Sequence, residues 1–110
     1  MKKLVIALLM VLLFFSVYAG SFDKGDQHIL FKSVKYLTDI PEVSWIEVEQ
    51  NDVYIGWNSI PSDFDMINRF AAMIGNRAIN FGVHVWSIQA SKKGWRPGDS
   101  SYLFHDNRSL

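Results

Sequence analysis

Apolar residues recur along this chain at two different spacings, and the alternation between them lays out an order of elements. In "DQHILFKSVKYLTD", Leu30, Val34 and Leu37 stand at i, i+4 and i+7 with Ile29 and Phe31 beside them, the spacing of one helical face. Asp26 supplies an N-cap and Pro41 closes the segment, because the residue before a proline is pushed out of the helical region; a helix is expected over residues 27–39. The stretch "VSWIEVEQNDVYIGWN" then changes to period two on either side of Asn51 and Asp52, which predicts a hairpin turning at those two residues. That turn sets Gln50 opposite Val53, Val48 opposite Ile55 and Ile46 opposite Trp57 on an apolar, core-facing side. Trp45, Glu47, Glu49 and Tyr54 are left on the side that meets water.

A second helix is expected to open with Ser62 as N-cap and with Asp63 and Asp65 in its first turn, where acidic groups complement the helix dipole. Phe64, Ile67, Ala71, Ile74 and Ala78 share one stripe, broadened by Phe70 and Met73. Two endings fit: a stop near Ile74, or a helix running to about Asn80 in which Gly75 permits close packing against the sheet at a helical cost of about 1 kcal/mol. Gly82 marks the exit. Residues 83–90, β-branched and aromatic, form a third strand. Its two faces are His84, Trp86, Ile88 and Ala90 against Val83, Val85, Ser87 and Gln89. The second set is polar at half its places, so the first is expected to face the helices, with Trp86 in the core and His84 at its rim. After a loop, "SKKGWRPGD", the segment "SSYLFHD" suits a fourth strand returning beside the third. The expected fold is α+β, a two-layer sandwich of order α-β-β-α-β with a final β, its two helices packed on one face of a small antiparallel or mixed sheet.

Ahead of these elements, Lys2 and Lys3 precede "LVIALLMVLLFFSVYAGS", an apolar run ending in small residues with the anatomy of a secretory signal peptide. Val17 and Ala19 place the cut between Ala19 and Gly20, which makes residues 1–19 the signal and residues 20–110 one small domain, exported to a periplasm or secreted. The run is shorter than the ~20 apolar residues that span a bilayer comfortably; if it is retained, this segment is the chain's link to a membrane. The chain has no cysteine, so neither disulfides nor acyl anchoring is open to it and one apolar core must supply the stability.

Formal net charge is zero, which excludes the basic footprint of a nucleic-acid binder. The charges are nonetheless unevenly spread: residues 20–65 carry three lysines against nine acids, and residues 66–110 six basic residues against two acids. Such a split helps the two halves of one domain attract each other, or marks a polar partner surface. His28, His84 and His105 lack metal-motif spacing, although pairing of the last two strands would bring His84, His105 and Asp106 together. Glu47 with Glu49 are alternate outward positions of a strand, and Asp63 with Asp65 fit a helix start, so neither pair requires acid/base work. Without a nucleophile motif, a phosphate loop or a dinucleotide fingerprint, the sequence names no catalytic residue, metal or cofactor.

Two surfaces are the binding candidates. One is the outer sheet face with Trp45 and Tyr54, expected beside Val83 and Val85. The other is the loop with Lys92, Lys93, Trp95 and Arg96, whose tryptophan between basic groups suits a carboxylate, phosphate or head group. A structural use of Trp95, folding back over one end of the core, stands level with that. The α-β-β-α-β order and the "VYIGW" strand resemble the BON modules of bacterial envelope proteins and the ring-building modules of secretion systems. That likeness implies a fold, and fold alone does not fix function. The reading is an exported binding or assembly module meeting a protein partner or a second copy of itself; the rival is a small periplasmic enzyme or enzyme inhibitor using His84 or His105.

Overall fold

A computed structural model describes residues 24–108. The expected signal peptide lies outside the described residues. Helix α1 (Lys24–Val34) tightens into a 3-10 turn (Lys35–Asp39) and is followed by strands β1 (Val43–Glu49) and β2 (Asp52–Trp57), helix α2 (Phe64–Ile79), strand β3 (Val83–Gln89), a short 3-10 turn (Ala90–Lys92) and strand β4 (Phe104–Arg108). The four strands form one sheet in the order β1-β2-β3-β4. Both outer pairings are antiparallel and the central β2/β3 pairing is parallel, since α2 carries the chain back to start β3 at the same end as β2. The fold is therefore the α+β arrangement expected, with a mixed sheet. Among the described residues, no helix is long and apolar enough to cross a membrane.

Leu30, Val34 and Leu37 are fully buried, so the change from α to 3-10 winding keeps the expected face of α1 turned inward. In α2 the cap position belongs to Asp63, one residue after the expected Ser62, and no side chain caps it; the Phe64 N–H donates to the Pro61 carbonyl instead (3.2 Å). The helix runs through Gly75 to Ile79 and ends on Asn80 in the left-handed region. A Cβ on Gly75 would lie 2.8 Å from Leu30 Cδ1 and 3.3 Å from the Val83 methyls, so this glycine lets α1, α2 and β3 close on one another.

The hairpin turns one residue earlier than expected, at Gln50 and Asn51, with Gln50 at φ 53°. Contacts distant in sequence hold it there. The Gln50 N–H donates to Gln27 Oε1 (2.8 Å), Asn51 Nδ2 donates to the Gly82 carbonyl (2.8 Å), and the His84 N–H donates to the Asn51 carbonyl (3.0 Å). Pairing slides by two residues, to Val48 opposite Val53 and Ile46 opposite Ile55. Because two is the side-chain period, every residue keeps its predicted face. An irregularity at Ser44 then lets Val43 join the core opposite Trp57 although Trp45 lies on the other side.

The third strand is reversed relative to expectation. Val83 and Val85 are fully buried in the main core with Val53, Ile55, Trp57, Phe64 and Ala71, and Ser87 is buried beside them. His84, Trp86 and Ile88 lie on the outer face. Ser87 reaches the core without penalty because its hydroxyl accepts from Trp57 Nε1 (2.8 Å) and donates to Asn68 Oδ1, while Asn68 Nδ2 donates to the Phe64 carbonyl (2.8 Å). This relay ties β2, β3 and α2 together and satisfies each member. Asn76, also buried, accepts from the Val83 N–H (2.7 Å) and fixes where β3 begins.

Candidate functional site

The outer sheet face carries a second apolar cluster, and the segment between β3 and β4 is strapped across it. Tyr54 and Trp95 are 2% and 5% exposed, Ile88 is fully buried, and Trp45 and Trp86 pack against them. Trp45 lies over its cross-strand partner Gly56: a Cβ there would sit 2.1 Å from Trp45 Cε2. The indole covers bare backbone that a larger residue would occupy, and its Nε1 donates to the Ala90 carbonyl (2.9 Å) at the root of the strap. Trp95 meets Tyr54 edge-on (6.4 Å between centroids) and Trp86 at a tilt (5.4 Å), and donates its Nε1–H to the Ser100 carbonyl (2.7 Å).

Arg96 fastens the strap to β1. Its guanidinium donates to Glu49 Oε2 (2.9 and 3.2 Å) and Glu47 Oε2 (3.4 Å) and stands 4.4 Å from the Tyr54 ring centroid. Partial burial opposes the charge on Arg96, but the hydrogen bond and charge of Glu49 outweigh it and hold the group above its ordinary value. The Tyr54 hydroxyl is pushed up to about 12, chiefly by burial, then by Asp52; Arg96 pulls the other way. Of the six residues singled out in the sequence, Trp45, Tyr54, Trp95 and Arg96 are thus gathered into one cluster. Trp45 and Trp95 donate to backbone carbonyls, and Arg96 is engaged by Glu47, Glu49 and the Trp95 carbonyl, so the polar groups of these three are already used within the fold. Lys92 is half-buried and Lys93 exposed.

The accessible part of this face lies beside that cluster, on His84 and Trp86, expected to face the helices, and on His105 and Tyr102, from the segment expected to return as the fourth strand. The β3/β4 pairing brings His84 and His105 together. His105 of β4 stacks on Trp86 of β3 at 3.6 Å and 7°. His84 lies alongside in nearly the same plane, its Nδ1 3.0 Å from His105 Nε2, so one imidazole donates a proton to the bare nitrogen of the other. Tyr102, 50% exposed, closes the row edge-on to Trp86 (5.3 Å). Trp86 Nε1 donates to Asp52 Oδ1 (3.1 Å), which fixes the indole. Burial, and then the neighbouring His84, hold His105 below its ordinary value, with Asp106 and Asp52 pulling it back. Asp106 pairs with Val85 and so belongs to the helix-side face, away from the two imidazoles. Alongside runs a groove of about 290 Å³, lined by Trp86, Trp95 and residues 97–102. No histidine lines it.

Among the described residues, no group of three or more histidines and carboxylates could hold a metal ion. Comparison with models of protein families, with curated proteins and with solved structures finds no match to this chain, so the likeness to BON modules rests on element order and the "VYIGW" strand.

Proposed function

We propose that the chain is an exported binding module, periplasmic or secreted, that grips a protein partner through Trp86, Tyr102, His84, His105 and the adjoining groove. The observation that carries this reading is the stacked row itself. Trp86 and His105 are half-buried, with part of each ring open to solvent, and are held at 3.6 Å by strand pairing and by the bond to Asp52. A flat aromatic surface that is rigid before contact loses little side-chain freedom on binding. The groove next to it, close to the lower end of usual ligand pockets, has room for one apolar side chain of a partner. Catalysis has less support: the two imidazoles spend their facing nitrogens on each other, and a hydrolase needs its base beside a nucleophile.

The test is capture from envelope extract by the wild type and by Tyr102→Ala and His105→Ala variants. Both are expected to lose the partner while keeping a wild-type circular dichroism spectrum. Undiminished capture by both folded variants, or no specific capture by the wild type, rejects the reading. The mass of the protein recovered from cells tests export separately: removal of residues 1–19 is expected.

A further inference from the structure

Helix α2 buries Phe64, Asn68, Ala71, Ala72, Gly75, Asn76 and Ile79 toward the sheet and α1. A helix with one such face ordinarily turns polar residues outward. This one carries a second apolar stripe there: Met66, Phe70 and Met73 stand at i, i+4 and i+7, with Met66 70% and Phe70 49% exposed. Ile60, just before the helix, extends the stripe at 58% exposure. On one flank stand Asp65 and Arg69, both exposed, four residues apart and in no ion pair among the described residues.

We propose that this face docks a second copy of the chain, α2 against α2 in antiparallel sense, about a two-fold axis near Met66 and Phe70. Charge complementarity selects that occupant. Asp65 and Arg69 lie on the same side of the stripe and straddle residue 67. Two-fold rotation through that point sets Asp65 of each copy against Arg69 of the other and gathers Met66 and Phe70 of both copies around the axis. Each copy meets the other with the same patch, so the contact closes as a dimer. An interface of little more than one helix face falls at the low end of specific contacts, below about 1,200 Å², which fits reversible association in the micromolar range. The docking face lies across the sheet from Trp86 and Tyr102, so a dimer presents two copies of the partner surface and its existence does not depend on that surface being used.

Sedimentation of the protein purified from cells expressing the full chain, across about 1–500 µM, tests this. The wild type is expected to pass from monomer to dimer over that range. Asp65→Arg alone and Arg69→Asp alone each place like charges across the axis and should weaken association about tenfold or more, and the double variant should return it to within about threefold of wild type. Phe70→Glu should abolish it. Four results overturn the proposal: a wild-type monomer throughout, indifference to either single charge change, failure of the double variant to recover, or a dimer dissolved by Tyr102→Ala instead. The charge variants alter only exposed positions, so the outcome stands even if Phe70→Glu impairs folding.

Discussion

Replacing Ser87 by alanine removes one oxygen from the molecule and tests which way β3 faces. In the structure that oxygen is fully buried, accepts from Trp57 Nε1 and donates to Asn68 Oδ1. Alanine leaves two buried polar atoms with no partner, and each such orphan costs about 1–3 kcal/mol. Allowing for partial relaxation, the expected loss is about 3 kcal/mol, a large share of the roughly 5–15 kcal/mol by which small domains are stable. With a urea dependence of about 1.5 kcal/mol per molar, the unfolding midpoint should fall by about 2 M. If Ser87 faced solvent, as its polarity suggests in the sequence, the same change would stay within about 0.5 kcal/mol. A midpoint shift below about 0.3 M would therefore refute the inward placement of Val83, Val85 and Ser87. A double-mutant cycle sharpens the result: Trp57→Phe with Ser87→Ala removes donor and acceptor together, so the pair should cost about 1 kcal/mol less than the sum of the single changes.

His105 gives the fold a pH dependence: burial and His84 hold it below the ordinary value of about 6.5, so the unfolded chain binds the proton more readily than the folded one. Stability from this source is complete above about pH 6.5 and is lost as pH falls toward the folded value; thermal unfolding at pH 7.5 and at pH 5 should show a steeper loss for wild type than for His105→Phe, and equal slopes would refute it. Gly56→Ala forces the Trp45 indole off β2 and breaks its bond to Ala90; a cost of about 1–3 kcal/mol is expected with a red shift in tryptophan emission, and an unshifted spectrum at unchanged stability would contradict the packing. The Tyr36 hydroxyl is buried with no hydrogen-bond partner among the described residues, so Tyr36→Phe should leave stability unchanged or raise it by up to about 1 kcal/mol in urea titration, and a loss of that size would show that the hydroxyl is bonded.

What the sequence disclosed follows from which forces are local. The faces of β1 and β2 are legible because Ile46, Val48, Val53 and Ile55 alternate with Glu47, Glu49 and Tyr54, and a slide of two residues leaves faces intact. The turn position was not legible: Gln27, Gly82 and His84, all distant in sequence, hold Gln50 and Asn51. In α2 the expected stripe is only partly the buried one: Phe64 and Ala71 are buried, Ile67, Met73 and Ile74 half-buried, and Phe70 and Ala78 exposed. Asn68 and Asn76 enter the core through hydrogen bonds to other elements, and Gly75 through packing against Leu30 and Val83, which also explains why it does not end the helix. The face of β3 misled for a reason that recurs in small domains. Both of its sides are amphipathic, and the burial of Ser87 depends on Asn68 and Trp57 from other elements, while Trp86 and Ile88 are sheltered by a loop that has no regular pattern. The signal for that loop was present in part, since a tryptophan inside "KKGWRPGD" has few uses other than contact or cover. The row of Trp86, His105 and Tyr102 needed the register of β3 against β4, which sets Trp86 opposite His105.

The strap also explains why the aromatic residues nearest the middle of the face are poor choices for loss-of-binding variants. Trp45, Tyr54 and Trp95 are structural in their contacts, and truncating them would expose the sheet rather than remove a contact surface. Tyr102 and His105 can be changed with far less consequence for folding, because Tyr102 is half exposed and His105 belongs to the edge strand.

The division of this face into a covered part and an open part is most directly tested by hydroxyl-radical footprinting of the folded protein, read residue by residue by mass spectrometry. Tyr102 is expected to be modified readily while Tyr54 and Trp95 stay protected until the protein unfolds. Modification of Tyr54 and Trp95 at the rate of Tyr102 under native conditions would mean that the strap does not lie across the sheet.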